Sequence, residues 1–349
     1  MRLSVLVPEI HDRPTGGNIY NRRIVTELRD EHAVEVRSWA PDDGAAPPRP
    51  SAPSAVCVVD SLLARHDEAL LRLRQAHPGP LVLLAHYLHS VDPQSTDAAA
   101  ARTERAVLPL FDGIVVPSRY AQRALIEEGL APDGVGVVPP GLDADYRAPL
   151  PDRPPDGPPL ILTVASLLPG KGLPALVDRL SALTDRPWRW RLVGDDTLDP
   201  AFADTVRARV RASAVADRVT EIGPVPPDAM RAQYDAAALF VLPSRFETCS
   251  MATREALARG LPVVAYAVGG LPENLAPPAG ADAAGAADAP APGRLVPLDA
   301  PDAFEAAVRT LLAEPDTRRA MGRAAREQSA AFPSWATAAA RFASFVRTL

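Results

Sequence analysis

Two glutamates stand eight residues apart in the stretch 239–274, LFVLPSRFETCSMATREALARGLPVVAYAVGGLPEN. Glu247 falls in a polar turn after the apolar run Leu239–Leu242, and Glu255 falls in the helix-spaced segment that follows. The amides of Thr248, Cys249, Ser250 and Met251 come near the start of that helix, where unpaired N–H groups and the macrodipole attract anions. Amides for a phosphate, flanked by carboxylates for hydroxyls, suit a phosphorylated polyol. Spacing alone leaves open that both glutamates are solvated helix charges. Lys171 is a second feature: it is the single lysine of a chain whose other cations are arginines, and it sits between Gly170 and Gly172. Lysine and arginine differ as phosphate ligands, one a point charge and the other a planar fork, so the lysine is either a ligand or a compositional survivor. His86 follows the apolar run Leu81–Ala85 in LAHYLHS, with His89 one turn further on, and Asp60 ends another run in VVDSLL. A histidine at a strand end is either a packed residue or a ligand contact.

These residues need a scaffold, and the apolar periodicity supplies one. Short apolar runs predict strands at Leu3–Val7, Val34–Trp39, Ala55–Val59, Leu81–Ala85, Gly113–Val116 and Gly136–Val138. Helical spacing marks Asn18–Leu28, Leu62–Gln75 and Arg119–Glu128 between them, which argues an α/β domain with a parallel sheet. Residues 147–159, RAPLPDRPPDGPP, hold too much proline for a helix or a central strand and read as a stiff linker. The alternation then restarts, with strands at Leu160–Ala165, Trp190–Val193, Val219–Ile222, Leu239–Leu242 and Val263–Tyr266, and an extended Arg294–Pro297. Helices are expected from Leu173, over Ala201–Ser213 and Asp228–Ala236, and from Met251. The segment 276–292 is low-complexity and reads as a mobile surface insertion. A final helix over Trp335–Val346 carries an apolar stripe at Trp335, Ala339, Phe342 and Val346.

Composition narrows the function. At 349 residues the chain exceeds one comfortable core, so two domains are expected. Apolar residues make up 47% and charged residues 23%, ordinary for a globular enzyme. The net charge of −6, with the acidic excess already present in the first half, offers no basic face to nucleic acid or an anionic bilayer. No run reaches the ~18 apolar residues of a membrane span, and residues 1–10 lack the apolar stretch of a signal peptide. Membrane association is not expected. Cys57 and Cys249 make no disulfide framework, which places the chain in a reducing cytoplasm. Six histidines and two cysteines show no metal-ligand spacing, so no metal is expected.

The string Pro243-Ser244, Glu247, seven intervening residues, Glu255, then Gly260-Leu261-Pro262-Val263-Val264 and Gly269-Gly270-Leu271-Pro272-Glu273 resembles the signature of the family 4 retaining glycosyltransferases. Thr163–Gly172 resembles the strand and loop that carry a diphosphate-binding Arg and Lys in that family. Val116-Pro117-Ser118 with Pro139-Pro140-Gly141-Leu142-Asp143 resembles the end of its N-terminal domain, and Gly16-Gly17 its first glycine-rich loop.

The resemblance implies a GT-B fold: two Rossmann-like domains with parallel sheets facing a central cleft. Residues 1–146 would form the N-terminal, acceptor-side domain, 147–159 the linker, and 160–332 the nucleotide-sugar domain. The helix in 333–349 would pack back on the first domain. Glu247 would contact the transferred sugar, Glu255 the ribose, and Lys171 the diphosphate. The amides of Gly16, Gly17 and Thr248–Met251 would approach the phosphates, and His86 would line the donor sugar. Asp60 is an acceptor-side candidate. Two departures stand out: Ser166 occupies the usual Arg position, and Cys249-Ser250 replaces a more usual glycine. The expected activity is retaining, metal-independent transfer from a nucleoside diphosphate sugar to a soluble acceptor, a small metabolite or natural product, with no further cofactor. A non-catalytic nucleotide-sugar-binding protein, or an epimerase or hydrolase on the same fold, are the alternatives.

Overall fold

A computed structural model describes residues 1–43, 45–48, 52, 55–130, 134–150, 157–277 and 290–349. The chain divides into two compact units, Met1–Gly141 with Pro333–Leu349, and Leu142–Phe332.

The first unit is built on a six-stranded parallel sheet of order β2-β1-β3-β4-β5-β6. Its strands are β1 (Arg2–Val7), β2 (Ala33–Ser38), β3 (Val56–Asp60), β4 (Leu81–Leu84), β5 (Gly113–Val116) and β6 (Val135–Val137). The helices are α1 (Gly16–Leu28), α2 (Asp67–Ala76), α3 (Ala98–Val107) and α4 (Arg119–Glu127). Strands β3, β4 and β5, flanked by neighbours on both edges, are buried along their whole length and are apolar except for Asp60 at the end of β3. The direction of travel reverses between β1 and β3, so ligands are expected beyond the carboxyl ends of these strands. The C-terminal helix, Trp335–Val346, belongs to this unit and packs along α1. Its Trp335 ring meets Tyr20 edge-on at 5.6 Å. Gly141 permits that seating, since a Cβ there would stand 2.4 Å from the Trp335 amide nitrogen.

The second unit repeats the plan with order β12-β11-β10-β7-β8-β9. Its strands are β7 (Leu160–Val164), β8 (Arg189–Val193), β9 (Val219–Gly223), β10 (Leu239–Leu242), β11 (Val263–Tyr266) and β12 (Gly293–Val296). Helices α5 (Leu173–Ser181), α6 (Pro200–Arg211), α7 (Pro227–Ala236), α8 (Met251–Ala258) and α9 (Leu271–Leu275) alternate with them; α10 (Pro301–Ala313) and α11 (Pro315–Ser329) follow. The order reverses between β7 and β10, and the loops leaving those two strands carry Lys171 and Glu247.

The division at Gly141/Leu142 falls ahead of the 147–159 segment read as the linker. The reason is a pair of arginines. Arg259, 1% exposed, donates to the carbonyls of Tyr146, Ala148 and Pro149 at 3.1, 2.8 and 3.2 Å. Arg326 donates to Tyr146 and Ala148 at 2.8 and 2.9 Å. Residues 142–150 are thereby bound into the second unit, and 151–156 lie outside the described residues. So does most of the low-complexity segment, 278–289. No described helix is long and apolar enough to cross a membrane.

Candidate functional site

In the second unit, Lys171 closes a short 3-10 turn, Pro169–Lys171, and Gly172 follows with φ +66°. A Cβ at Gly172 would stand 2.2 Å from the Pro243 carbonyl oxygen, so glycine lets this loop abut the one after β10. The Arg245 amide donates to the Gly170 carbonyl at 2.9 Å and ties the two loops together. Lys171 Nζ thereby reaches Glu247 Oε1 at 2.7 Å, with the side chains 27% and 12% exposed. Glu247 is gripped from the other side as well: its carbonyl accepts from the Gly270 amide at 2.8 Å. Gly269, at φ +54°, leaves room for that carbonyl, which a Cβ would approach to 2.0 Å.

Helix α8 begins directly after this loop. Its N-cap, Ser250, holds φ +64° and accepts from the Thr253 amide at 3.4 Å. It has the only positive φ among the described residues other than glycine. Asn274, 2% exposed, donates to the carbonyls of Cys249 and Ser250, fixing the turn from beneath. Cys249 is buried, and burial pushes its thiol pKa up against the opposing pull of Arg254. The Arg254 guanidinium lies over the Phe332 ring at 4.2 Å. Glu255, eight residues past Glu247, accepts from the Tyr234 hydroxyl at 2.7 Å. Tyr234 is fully buried, and burial with the Glu255 charge raises its pKa well above the ordinary value. Ser166 is half-buried in the loop after β7, where its carbonyl accepts from the Leu168 amide at 2.9 Å. An ion pair, a capped helix start and a second carboxylate thus gather beyond the carboxyl ends of β7 and β10.

In the first unit, His86, Asp60 and Gly17 also gather at strand ends. A Cβ on Gly17 would stand 3.1 Å from His86 Cδ2, and the Tyr20 ring meets His86 edge-on at 4.9 Å. Gly16 starts α1, whose N-cap Thr15 accepts from the Asn18 amide. Asp60 is 2% exposed: Oδ1 accepts from the Leu62 amide at 2.8 Å, and Oδ2 from Asn21 Nδ2 at 2.5 Å. Asn21 Oδ1 lies 2.7 Å from His86 Nε2. Burial lowers the His86 pKa, against a smaller pull upward from Asp60. Asn21 escapes a reading by residue type, although it sits on the buried face of α1 with Ile24, Val25 and Leu28, a polar residue at an apolar position. A separate cavity of about 500 Å³ in the first unit is lined by His89, Asp92, Asp97, Arg102, Arg105 and Glu128 among others, and by none of the residues of this cluster.

Comparison with known proteins agrees with the sequence signature. Residues 158–314 match the family described as Glycosyl transferases group 1, and residues 64–146 match Glycosyltransferase Family 4. The chain is 32% identical over 287 residues to the D-inositol 3-phosphate glycosyltransferase of Corynebacterium glutamicum, covering 76% of this chain and 66% of that protein. It is 35% identical over 254 residues to the enzyme of the same name from Kineococcus radiotolerans, covering 68% and 57%. The chain thus spans between about half and two thirds of the relatives it matches. The sucrose-phosphate synthase structure from Thermosynechococcus elongatus superposes with a TM-score of 0.79 at 22% identity, over 99% of both chains. That likeness, with the two six-stranded parallel sheets, makes the fold GT-B. With matches to the family over both units, this chain belongs to glycosyltransferase family 4.

Proposed function

We propose that this chain is a retaining, metal-independent glycosyltransferase that moves a sugar from a nucleoside diphosphate sugar to a small soluble acceptor in a reducing cytoplasm. The Lys171–Glu247 ion pair, set beside the N-terminus of α8, carries the reading. An ammonium and first-turn amides meet charge growing on a departing diphosphate, and they need no reorganisation to do so. Glu247 then orients the sugar and Glu255 the ribose. Retention without an enzymic nucleophile has the acceptor attack from the face that the diphosphate leaves. Among the described residues no group of three or more His, Cys, Asp or Glu side chains could hold a metal ion. The names of the relatives, D-inositol 3-phosphate glycosyltransferases, point to a small polyol or its phosphate as acceptor.

A second reading, donor binding without transfer, draws on Ser166 at the expected arginine position. A panel of nucleoside diphosphate sugars with inositol, hexoses and their phosphates separates the two. Acceptor-dependent release of nucleoside diphosphate, with the donor's anomeric configuration kept in the product and no change under EDTA, is expected. Tight donor binding with no release would establish the second reading, and release without acceptor would mark a hydrolase. Activity lost to EDTA and restored by magnesium or manganese would refute metal independence.

A further inference from the structure

Asn21 stands between a carboxylate and an imidazole, and hydrogen-bond chemistry gives that chain a direction. A carboxylate only accepts. Asp60 uses Oδ1 on the Leu62 amide at 2.8 Å and turns Oδ2 to Asn21 at 2.5 Å. The Asn21 amide therefore presents its NH2 to Asp60 and its oxygen to His86, 2.7 Å away. An amide oxygen facing Nε2 can only accept, so Nε2 carries the proton. Burial holds the ring below its ordinary pKa, so it is neutral at pH 7 and its lone pair sits on Nδ1. The ring cannot turn away easily: Gly17 backs one side, Tyr20 meets it edge-on, and the His86 amide donates to Ser61 Oγ at 3.1 Å.

We propose that Asn21 and Asp60 are positioning residues that lock His86 in its Nε2–H tautomer, so that it meets a sugar hydroxyl as a hydrogen-bond acceptor through Nδ1 rather than as a proton donor. The tautomer follows from the first unit alone; its use on a sugar rests on the glycosyl-transfer reading. Asp60 is then the anchor of a polar chain, and its buried carboxylate serves the histidine instead of an acceptor.

Polarity inversion tests this. In Asp60→Asn the new amide must keep its oxygen on the Leu62 N–H, because an NH2 cannot face a donor. Its NH2 then points at Asn21, whose own amide flips and presents NH2 to His86 Nε2. That nitrogen must now accept, and the proton moves to Nδ1. The double exchange Asp60→Asn with Asn21→Asp places a carboxylate beside Nε2 and restores the original tautomer. Two-bond 1H–15N correlation spectra of full-length, 15N-histidine-labelled protein read the tautomer directly, with the His86 signal assigned by its loss in His86→Gln. Expected are Nε2–H in the wild type, Nδ1–H in Asp60→Asn, and Nε2–H again in the double variant. With a verified donor, kcat/KM should fall roughly 10- to 100-fold in Asp60→Asn, the cost of one misdirected buried hydrogen bond. Nδ1–H in the wild type, or Nε2–H persisting in Asp60→Asn, would overturn the lock. An inverted tautomer with unchanged kcat/KM would leave the lock standing and overturn the contact of Nδ1 with the sugar.

Discussion

Replacing Lys171 with alanine removes one end of a 2.7 Å ion pair whose other end, Glu247, is only 12% exposed. A hydrogen bond to a charged group contributes ~1.5–3 kcal/mol, which corresponds to roughly 10- to 150-fold in rate if the contact is made in the transition state. Ser166 stands where the family signature has an arginine, so that loop offers no second cation. The loss should therefore sit at the upper end, and in kcat more than in KM. Glu247 adds a second consequence, because the lysine also holds that carboxylate in place. The two roles separate in a double-mutant cycle with Glu247→Gln. If Lys171 acts only through Glu247, the double variant is no worse than the worse single one. If the ammonium also meets the diphosphate, the double variant is slower than either, with a coupling of ~0.5–3 kcal/mol. The second outcome is expected. Lys171→Arg keeps the charge but trades a point donor for a planar fork, and it should recover only part of the rate. The assay is nucleoside diphosphate release at saturating acceptor, with single-turnover measurements to confirm that chemistry limits kcat. Near-normal kcat/KM in Lys171→Ala, with donor binding verified by calorimetry, would refute the diphosphate role.

Three further outcomes are expected. Glu255→Gln should raise the donor KM about 10-fold with kcat little changed, since ribose is held alike in ground and transition states; a fall confined to kcat would contradict that role. Ser250→Gly should leave stability unchanged or raise it by up to ~1 kcal/mol in urea unfolding, because relief of the left-handed backbone outweighs a slightly weaker cap. His86 has a folded pKa below its unfolded value of ~6.5, so its neutral, buried form contributes stability that is complete above that value and lost as pH falls below it. His86→Gln should accordingly flatten the decline of the urea midpoint between pH 7.5 and 5, and an equally steep decline would show that the histidine is not its source.

The strands were the most legible part of the fold. Leu239–Leu242, Val263–Tyr266 and Gly113–Val116 begin and end at the residues expected from sequence, because central strands buried on both faces are made mostly of apolar residues. Helices without a clean stripe were harder to find. Ala98–Val107, AAAARTERAV, spreads alanine around the helix and hides its buried face, and Pro315–Ser329 is mostly polar. Pro301–Ala313 does carry a stripe, at Phe304, Val308, Leu311 and Leu312, although no helix was expected there from sequence. The helix expected from Leu62 starts only at Asp67, because Asp60 caps a separate 3-10 turn over Ser61–Leu63. Composition placed the linker at the prolines, yet two arginines distant in sequence bind residues 146–149 to the second unit. No local pattern encodes such a contact.

The two departures from the family signature turn out to differ in kind. At Ser250 the backbone holds φ +64°, so the serine accepts a conformation that glycine would adopt without strain. In return its hydroxyl oxygen caps α8 on the Thr253 amide, and the helix start that a phosphate would meet is kept. This substitution alters the strain of the loop and leaves its donors in place. At Ser166 nothing in the backbone depends on the side chain, since the Leu168 amide bonds to a carbonyl that any residue supplies. What changes there is the side chain, one cation and its fork of donors fewer in the loop after β7. A sequence shows both as single-letter mismatches of equal weight. The backbone separates them, and it puts the chemical consequence of the second on Lys171, which is why the lysine carries the decisive test.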